Sequence, residues 1–80
     1  MGDRLKQIVI ESLKISPSVY ADDLKAGDVP EWDSLGHVTM LQAVQKGFDV
    51  TFEMTDAIEI ESVGDLKRVL QQYLDARAAR

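Results

Sequence analysis

The stretch DSLGHVTMLQAVQKGF, residues 33–48, decides the fold. Met40, Leu41, Val44 and Phe48 recur at the spacing of one helical face, with His37 at the upper end of the stripe. The pattern predicts a helix over about residues 34–46, ended by Gly47 where helices favour a glycine. Asp33 and Ser34 stand directly before the run, where short polar side chains accept from the orphan N–H groups of a first turn. The same stretch raises a second question. Ser34 is either only a cap, or a hydroxyl at which chemistry is done.

Outward from this helix, residues 4–14 place Leu5, Ile8, Val9 and Leu13 at helical spacing. Residues 15–33 sustain no periodicity and are broken by SPS and GDVP, so they form a long connection. Val19, Tyr20, Leu24 and Val29 are its candidate anchors, and Trp32 is expected to dock it on the core. A connection of this length in a small domain is usually functional. After the second helix, FDVTF alternates like a strand but has no partner, which makes it an extended loop. TDAIEI predicts a short helix with Thr55 as its cap. A last helix begins at Ser62, with Asp65 completing a weak capping box, and carries Val63, Leu66, Val69, Leu70, Tyr73 and Leu74 on one stripe. Its tail, DARAAR, is expected to fray, with its arginines near the negative end of the helix dipole. Three main amphipathic helices and one short one cannot bury their stripes alone. They predict an all-α fold, a small four-helix bundle with a long loop between helices one and two, as a single domain over residues 1–80.

Composition narrows the function. Eighty residues bury a thin core, which disfavours a large multi-part active site. No apolar run approaches the roughly 18 residues that span a bilayer, so no stable membrane insertion is expected. Charges scattered through MGDRLKQIVIESL do not fit a signal peptide. The chain lacks cysteine, which excludes disulfides and thiolate metal sites and fits a cytoplasmic protein. Net charge is −5, unevenly spread: residues 15–65 hold eleven carboxylates against Lys25 and Lys46. Such a middle repels nucleic acid phosphates and anionic lipid and suits basic protein surfaces, although acidity also serves plain solubility. A monomer is expected.

At Ser34 three chemistries compete. As an N-cap, the residue only satisfies backbone. As a nucleophile it would need a base and an oxyanion hole. His37, the only histidine, lies at i+3, but no G-x-S-x-G elbow is present and the bundle leaves little room for a cleft. As a modification site it needs only an exposed hydroxyl at a helix start, where a phosphate meets free N–H groups and the positive end of the dipole.

The ordered set Asp33-Ser34-Leu35, Phe48 after helix two, an acidic short helix and IESVGDLKRVL, in a chain of this length, resembles the acyl carrier protein family over nearly its whole extent. The resemblance implies that Ser34 carries 4′-phosphopantetheine, whose thiol holds cargo as a thioester. The working sulfur is then imported with the cofactor, and the chain itself catalyses nothing. A phosphopantetheinyl transferase would install the arm from coenzyme A, using magnesium in its own site, with Asp33 orienting the encounter and Leu35 and Gly36 supporting the attachment site. Leu35, Val38 and Gln42 fall at the family's partner-contact positions, facing acyl-loading and acyl-using enzymes. His37, Met40, Val44 and Leu66 fall in the vicinity of arm or cargo, although for Met40 a place at the edge of the core is the plainer reading.

Two departures narrow the type. Fatty-acid-synthesis carriers usually have an acidic residue after DSL and further carboxylates along helix two, whereas Gly36 stands here and residues 34–48 contain no carboxylate. Gln42, Gln45 and Lys46 are expected to face outward. Gly36 weakens the helix and would be retained either because it opens backbone N–H groups to a phosphate or because a partner approaches closely. EW replaces the GG expected before the serine motif in peptidyl carriers. WDSLGH resembles stand-alone carriers of specialised pathways, and a glycine after the motif is also similar to D-alanyl carriers of cell-wall modification. An unmodified carrier-like binding module and a small serine hydrolase using His37 are the readings from other classes.

Overall fold

The computed structural model describes residues 2–78. Four helices follow in order: α1 (Gly2–Leu13), α2 (Ser34–Phe48), α3 (Met54–Glu59) and α4 (Val63–Ala78). Leu5, Val9 and Leu13 of α1, Met40, Leu41 and Val44 of α2, and Val63, Leu66, Val69 and Leu70 of α4 are buried in one core. These are the stripes that the 3.6-residue periodicity marks. Residues 49–53 are an extended loop, as the lone alternating segment predicts.

The long α1–α2 connection is ordered by its own hydrogen bonds. Ala26 N donates to Glu61 O at 2.9 Å, Val63 N to Leu24 O at 3.0 Å, and Gly64 N to Asp22 O at 2.8 Å, so the connection runs along the start of α4. Gly27 turns the chain with φ +92°, a conformation that L side chains rarely adopt, and its N–H donates to Trp32 O at 3.0 Å. Leu24 and Trp32 are buried, with Tyr20 and Val29 partly so. Trp32 is the largest fully buried side chain in the molecule. Val19, expected as an anchor, stays exposed.

Several boundaries differ from the pattern for physical reasons. Gly47 lies inside α2, which runs on to Phe48 and closes through Asp49 in the left-handed region. A Cβ at Gly47 would sit 2.5 Å from Cδ1 of Ile8, so the glycine serves the close approach of α1 and α2. α3 starts at Met54, and the position before it, Glu53, makes no side-chain cap, so Thr55 is within the helix and caps nothing. Ser62 does cap α4, its Oγ accepting from Asp65 N at 3.1 Å, while Asp65 Oδ2 accepts from Glu61 N at 3.1 Å. Gln45, expected to face outward, is half-buried. Its Oε1 accepts from Phe52 N at 2.7 Å and holds the α2–α3 loop.

The end of α4 does not fray at Arg77. Its guanidinium donates to Phe48 O at 2.9 Å and Asp49 O at 3.0 Å, and Arg4 donates to Gly47 O at 2.9 Å. The two cations therefore serve the negative end of α2 rather than that of α4. Arg80, the other arginine of the tail, lies outside the described residues.

α3 has no buried residue of its own. Phe52 before it and Ile60 after it are buried, and Tyr73 of α4 ties it down from the side. The Tyr73 hydroxyl accepts from Glu53 N at 2.8 Å and donates to Asp56 Oδ2 at 2.6 Å, the bond to Asp56 holding the phenol above its ordinary range. Met54 and Ile58 consequently project outward, 78% and 70% exposed.

Candidate functional site

Asp33 is the N-cap of α2. Its backbone is extended, and its Oδ1 accepts from Gly36 N at 2.8 Å. The Asp33 carbonyl accepts from His37 N at 2.8 Å. Ser34 is thus the first residue of the helix and not its cap, a correction to the simplest reading of the DS pair. Its side chain is exposed and takes part in no hydrogen bond among the described residues. The two sequence readings of Ser34 are thereby separated, with capping assigned to Asp33 and the hydroxyl left over.

Ser34 opens onto a hollow of ≈ 460 Å³ lined by Ala26, Gly27, Trp32, Asp33, His37, Ile58, Ile60 and Glu61. The α1–α2 connection, the first turn of α2 and the segment through the end of α3 each contribute a wall. Of the expected site residues, Ser34, Asp33 and His37 meet here. Leu35 (76% exposed), Val38 (51% exposed) and Gln42 lie outside it on the exposed face of α2. Met40, Val44 and Leu66 are fully buried and line no part of it. Ile58, Ile60 and Glu61 were not singled out from sequence. Their one signal is the alternation of AIEI, which puts Ile58 and Ile60 two residues apart after a break from helical spacing.

His37 is committed to Trp32. The indole Nε1–H donates to His37 Nδ1 at 2.9 Å, with the ring planes 17° apart and centroids at 6.1 Å, so the rings meet edge to edge through the bond. Among the described residues no hydrogen bond joins Ser34 to His37. The Ser–His pairing that a hydrolase needs is not assembled. No group of three or more His, Cys, Asp or Glu suited to a metal is present among the described residues.

Gly36 has a structural reason of its own. A Cβ there would lie 2.1 Å from the backbone carbonyl oxygen of Glu31, a separation that real Cβ atoms do not show. Its N–H is held by Asp33, which corrects the expectation that glycine opens this amide to a phosphate; among the described residues, the amides without a partner in the first turn are those of Ser34 and Leu35. Alanine favours an open helical site over glycine by roughly 0.5–1 kcal/mol. At position 36 the clash outweighs that preference, since overpacking typically costs about 1–3 kcal/mol. Gly36→Ala should therefore lower the urea midpoint at an unchanged denaturant slope. A variant as stable as the wild type would show that the Glu31 loop yields freely.

An exposed, unpartnered hydroxyl at a capped helix start, facing an open hollow, fits attachment of a phosphopantetheine arm. No family model matches the chain. Among curated proteins it is similar to the acyl carrier protein of Phenylobacterium zucineum, 31% identical over 92% of this chain and 94% of the relative. It is also similar to that of Sulfurovum sp., 30% identical over 86% of this chain and 92% of the relative. A solution structure of a holo acyl carrier protein from Geobacter metallireducens superposes with a TM-score of 0.85 at 22% identity, covering 98% of this chain and 90% of that one. The likeness in fold and the identity along nearly full length agree: the chain belongs to the acyl carrier protein family, carriers rather than enzymes, whose cofactor is a covalently held 4′-phosphopantetheine.

Proposed function

We propose that Ser34 is the attachment point of the 4′-phosphopantetheine arm and that the chain presents cargo to enzymes of a specialised biosynthetic pathway. The observation that carries the assignment is the division of labour at the helix start, where Asp33 holds the backbone and Ser34 keeps its hydroxyl free. When bound, the arm supplies a terminal thiol that holds cargo as a thioester. Asp33 fixes the geometry of the first turn, and the unpartnered amides of Ser34 and Leu35 favour an anion there. Leu35 and Val38 on α2, with the polar Gln42 one turn on, are exposed and offer a contact face near Ser34 for a phosphopantetheinyl transferase and for acyl-loading and acyl-using enzymes, and Ile58 of α3 is exposed at the same hollow as Ser34. The arm's donor, coenzyme A, makes the cytoplasm the proposed place of action.

The specialised pathway is supported by charge. α2 has no acidic residue, while Glu53, Asp56, Glu59 and Glu61 cluster in and around α3. A basic patch that reads an acidic second helix finds no partner on α2, and the Glu31 carbonyl over Gly36 leaves no room for an acidic side chain there. The same glycine keeps a D-alanyl or aminoacyl carrier as the second reading. Incubation with coenzyme A and a promiscuous transferase should raise the intact mass by one arm. An unchanged mass, where a control carrier converts fully, would leave an unmodified binding module.

Cargo is proposed to be short or polar and carried mostly outside the bundle. Met40, Val44 and Leu66 are fully buried, so an acyl chain could enter only by parting α2 and α4. The gain of about 0.8 kcal/mol per buried CH₂ is opposed by the repacking that parting the helices requires and by the solvation that the half-buried imidazole of His37 would lose beside an apolar chain. Conversion from a short acyl to an octanoyl form should leave the resonances of these three residues nearly unmoved and the melting temperature unchanged. Large shifts at all three with a gain in stability would mean the chain is sequestered.

A further inference from the structure

Backbone amides favour an anion at Ser34, but the side chains around the hollow add little to them. A phosphodiester on Ser34 is a permanent anion, yet among the described residues the ionisable side chains lining the hollow besides His37 are Asp33 and Glu61, both carboxylates, with no lysine or arginine. Side-chain donors are equally scarce. The hydroxyl of Ser34 would be consumed by the ester, and the Trp32 N–H is already spent on His37. One donor remains. Because His37 Nδ1 accepts from the indole, the neutral ring must carry its proton on Nε2. On a five-membered ring the Nε2–H bond points away from Nδ1. It therefore points away from the fully buried Trp32, and Nε2 is not among the buried atoms that lack a partner. Among the described residues nothing accepts from it.

We propose that His37, held in the Nε2–H tautomer by buried Trp32, donates to a non-bridging oxygen of the phosphodiester on Ser34 and so positions the root of the arm. The inference rests on the carrier reading. His37 is a positioning residue, with no part in any covalent step. Ser34 and His37, at i and i+3 on α2, line one hollow and are neighbours on one helical face. A hydrogen bond to a charged acceptor is about twice as strong as a neutral one, and here it offsets the two carboxylates. Trp32 thereby gains a function besides packing: it fixes which nitrogen of His37 bears the proton.

The test uses the intact chain, loaded by transferase and checked by mass, and reads the phosphorus directly. A phosphodiester does not itself titrate near neutrality, so any pH-dependent ³¹P shift there reports a neighbour. Carboxylic acids ordinarily change charge around pH 4 and imidazoles near 6.5, so the pH of a step tells which kind of neighbour causes it. The holo wild type should show a ³¹P step near neutrality. Loading should also displace the His37 Nε2 ¹⁵N resonance, while Nδ1 keeps its acceptor signature. In holo His37→Gln, which can still accept from Trp32 and so retains the fold, the step should be lost. A flat ³¹P profile in the loaded wild type overturns the inference and leaves the carrier reading standing. So does a step confined to the carboxylate range, one that persists in His37→Gln, or an unmoved Nε2 resonance. Failure of the wild type to gain the arm overturns both.

Discussion

Ser34→Ala is expected to take up no phosphopantetheine at all while folding as well as the wild type. The two halves of this result have separate causes. Loss of the arm follows from loss of the one oxygen to which it would be esterified. Retention of stability follows from the capping geometry. Asp33 Oδ1 accepts from Gly36 N at 2.8 Å, and the side chain of Ser34, at the first helical position, makes no hydrogen bond among the described residues. Alanine is the best helix former at such a position. The variant should therefore unfold within about 0.5 kcal/mol of the wild type, as surface substitutions away from special features do. Asp33→Ala is the informative contrast. It should cost about 0.5–2 kcal/mol, the range for loss of a helix cap, and should slow loading, because the first turn is no longer fixed. Intact mass after coexpression with a transferase reads the first effect and urea unfolding the second. If Ser34→Ala still gains one arm, the attachment point is elsewhere. If it is destabilised as much as Asp33→Ala, the separation of cap from hydroxyl is wrong.

That separation marks where sequence reading stopped. The stripes of α1, α2 and α4 were legible because burial imposes a 3.6-residue period, and Leu5, Val9, Met40, Val44, Leu66 and Leu70 all sit where the period puts them. Asp33 was legible as a cap because that motif is local. The reason for Gly36 was not. The atom it avoids, the carbonyl oxygen of Glu31, belongs to a loop without periodicity, and nothing in a linear pattern tells how that loop folds back. Gly47 was misread as a helix end for a related reason, since glycine before a loop looks the same whether it stops a helix or admits a neighbour such as Ile8. Gln45 looked like solvent-facing surface, because its bond to Phe52 N spans a loop. Each of these three misses concerns a tertiary contact, two with a loop and one between α1 and α2, that outweighs local preference.

Trp32→Ala should be the most destabilising single substitution in the domain. The side chain is fully buried and the largest such residue, and truncating a buried aromatic to alanine costs about 3–5 kcal/mol. At roughly 0.05–0.15 kcal/mol per residue, a chain of 80 residues has on the order of 4–12 kcal/mol in all. The variant should thus be marginal or unfolded at ambient temperature, a result that urea titration followed by circular dichroism will show. Trp32→Phe keeps most of the apolar area and loses the N–H to His37, so it should lose only about 0.5–1.5 kcal/mol, the net worth of one hydrogen bond. Lysine, arginine and glutamate side chains at the surface have no comparable leverage. The substitution also reaches the site, because the backbone of Trp32 is continuous with the Glu31 carbonyl that presses on Gly36. If Trp32 is what holds that carbonyl in place, the two positions are coupled. Gly36→Ala should then be less costly in a Trp32→Phe background than in the wild type, with an interaction energy above the roughly 0.3–0.5 kcal/mol scatter of independent sites. Strict additivity would place the anchor of the loop elsewhere, at Leu24 or in the hydrogen bonds of the α4 start, and would remove Trp32 from the account of why glycine follows the serine motif.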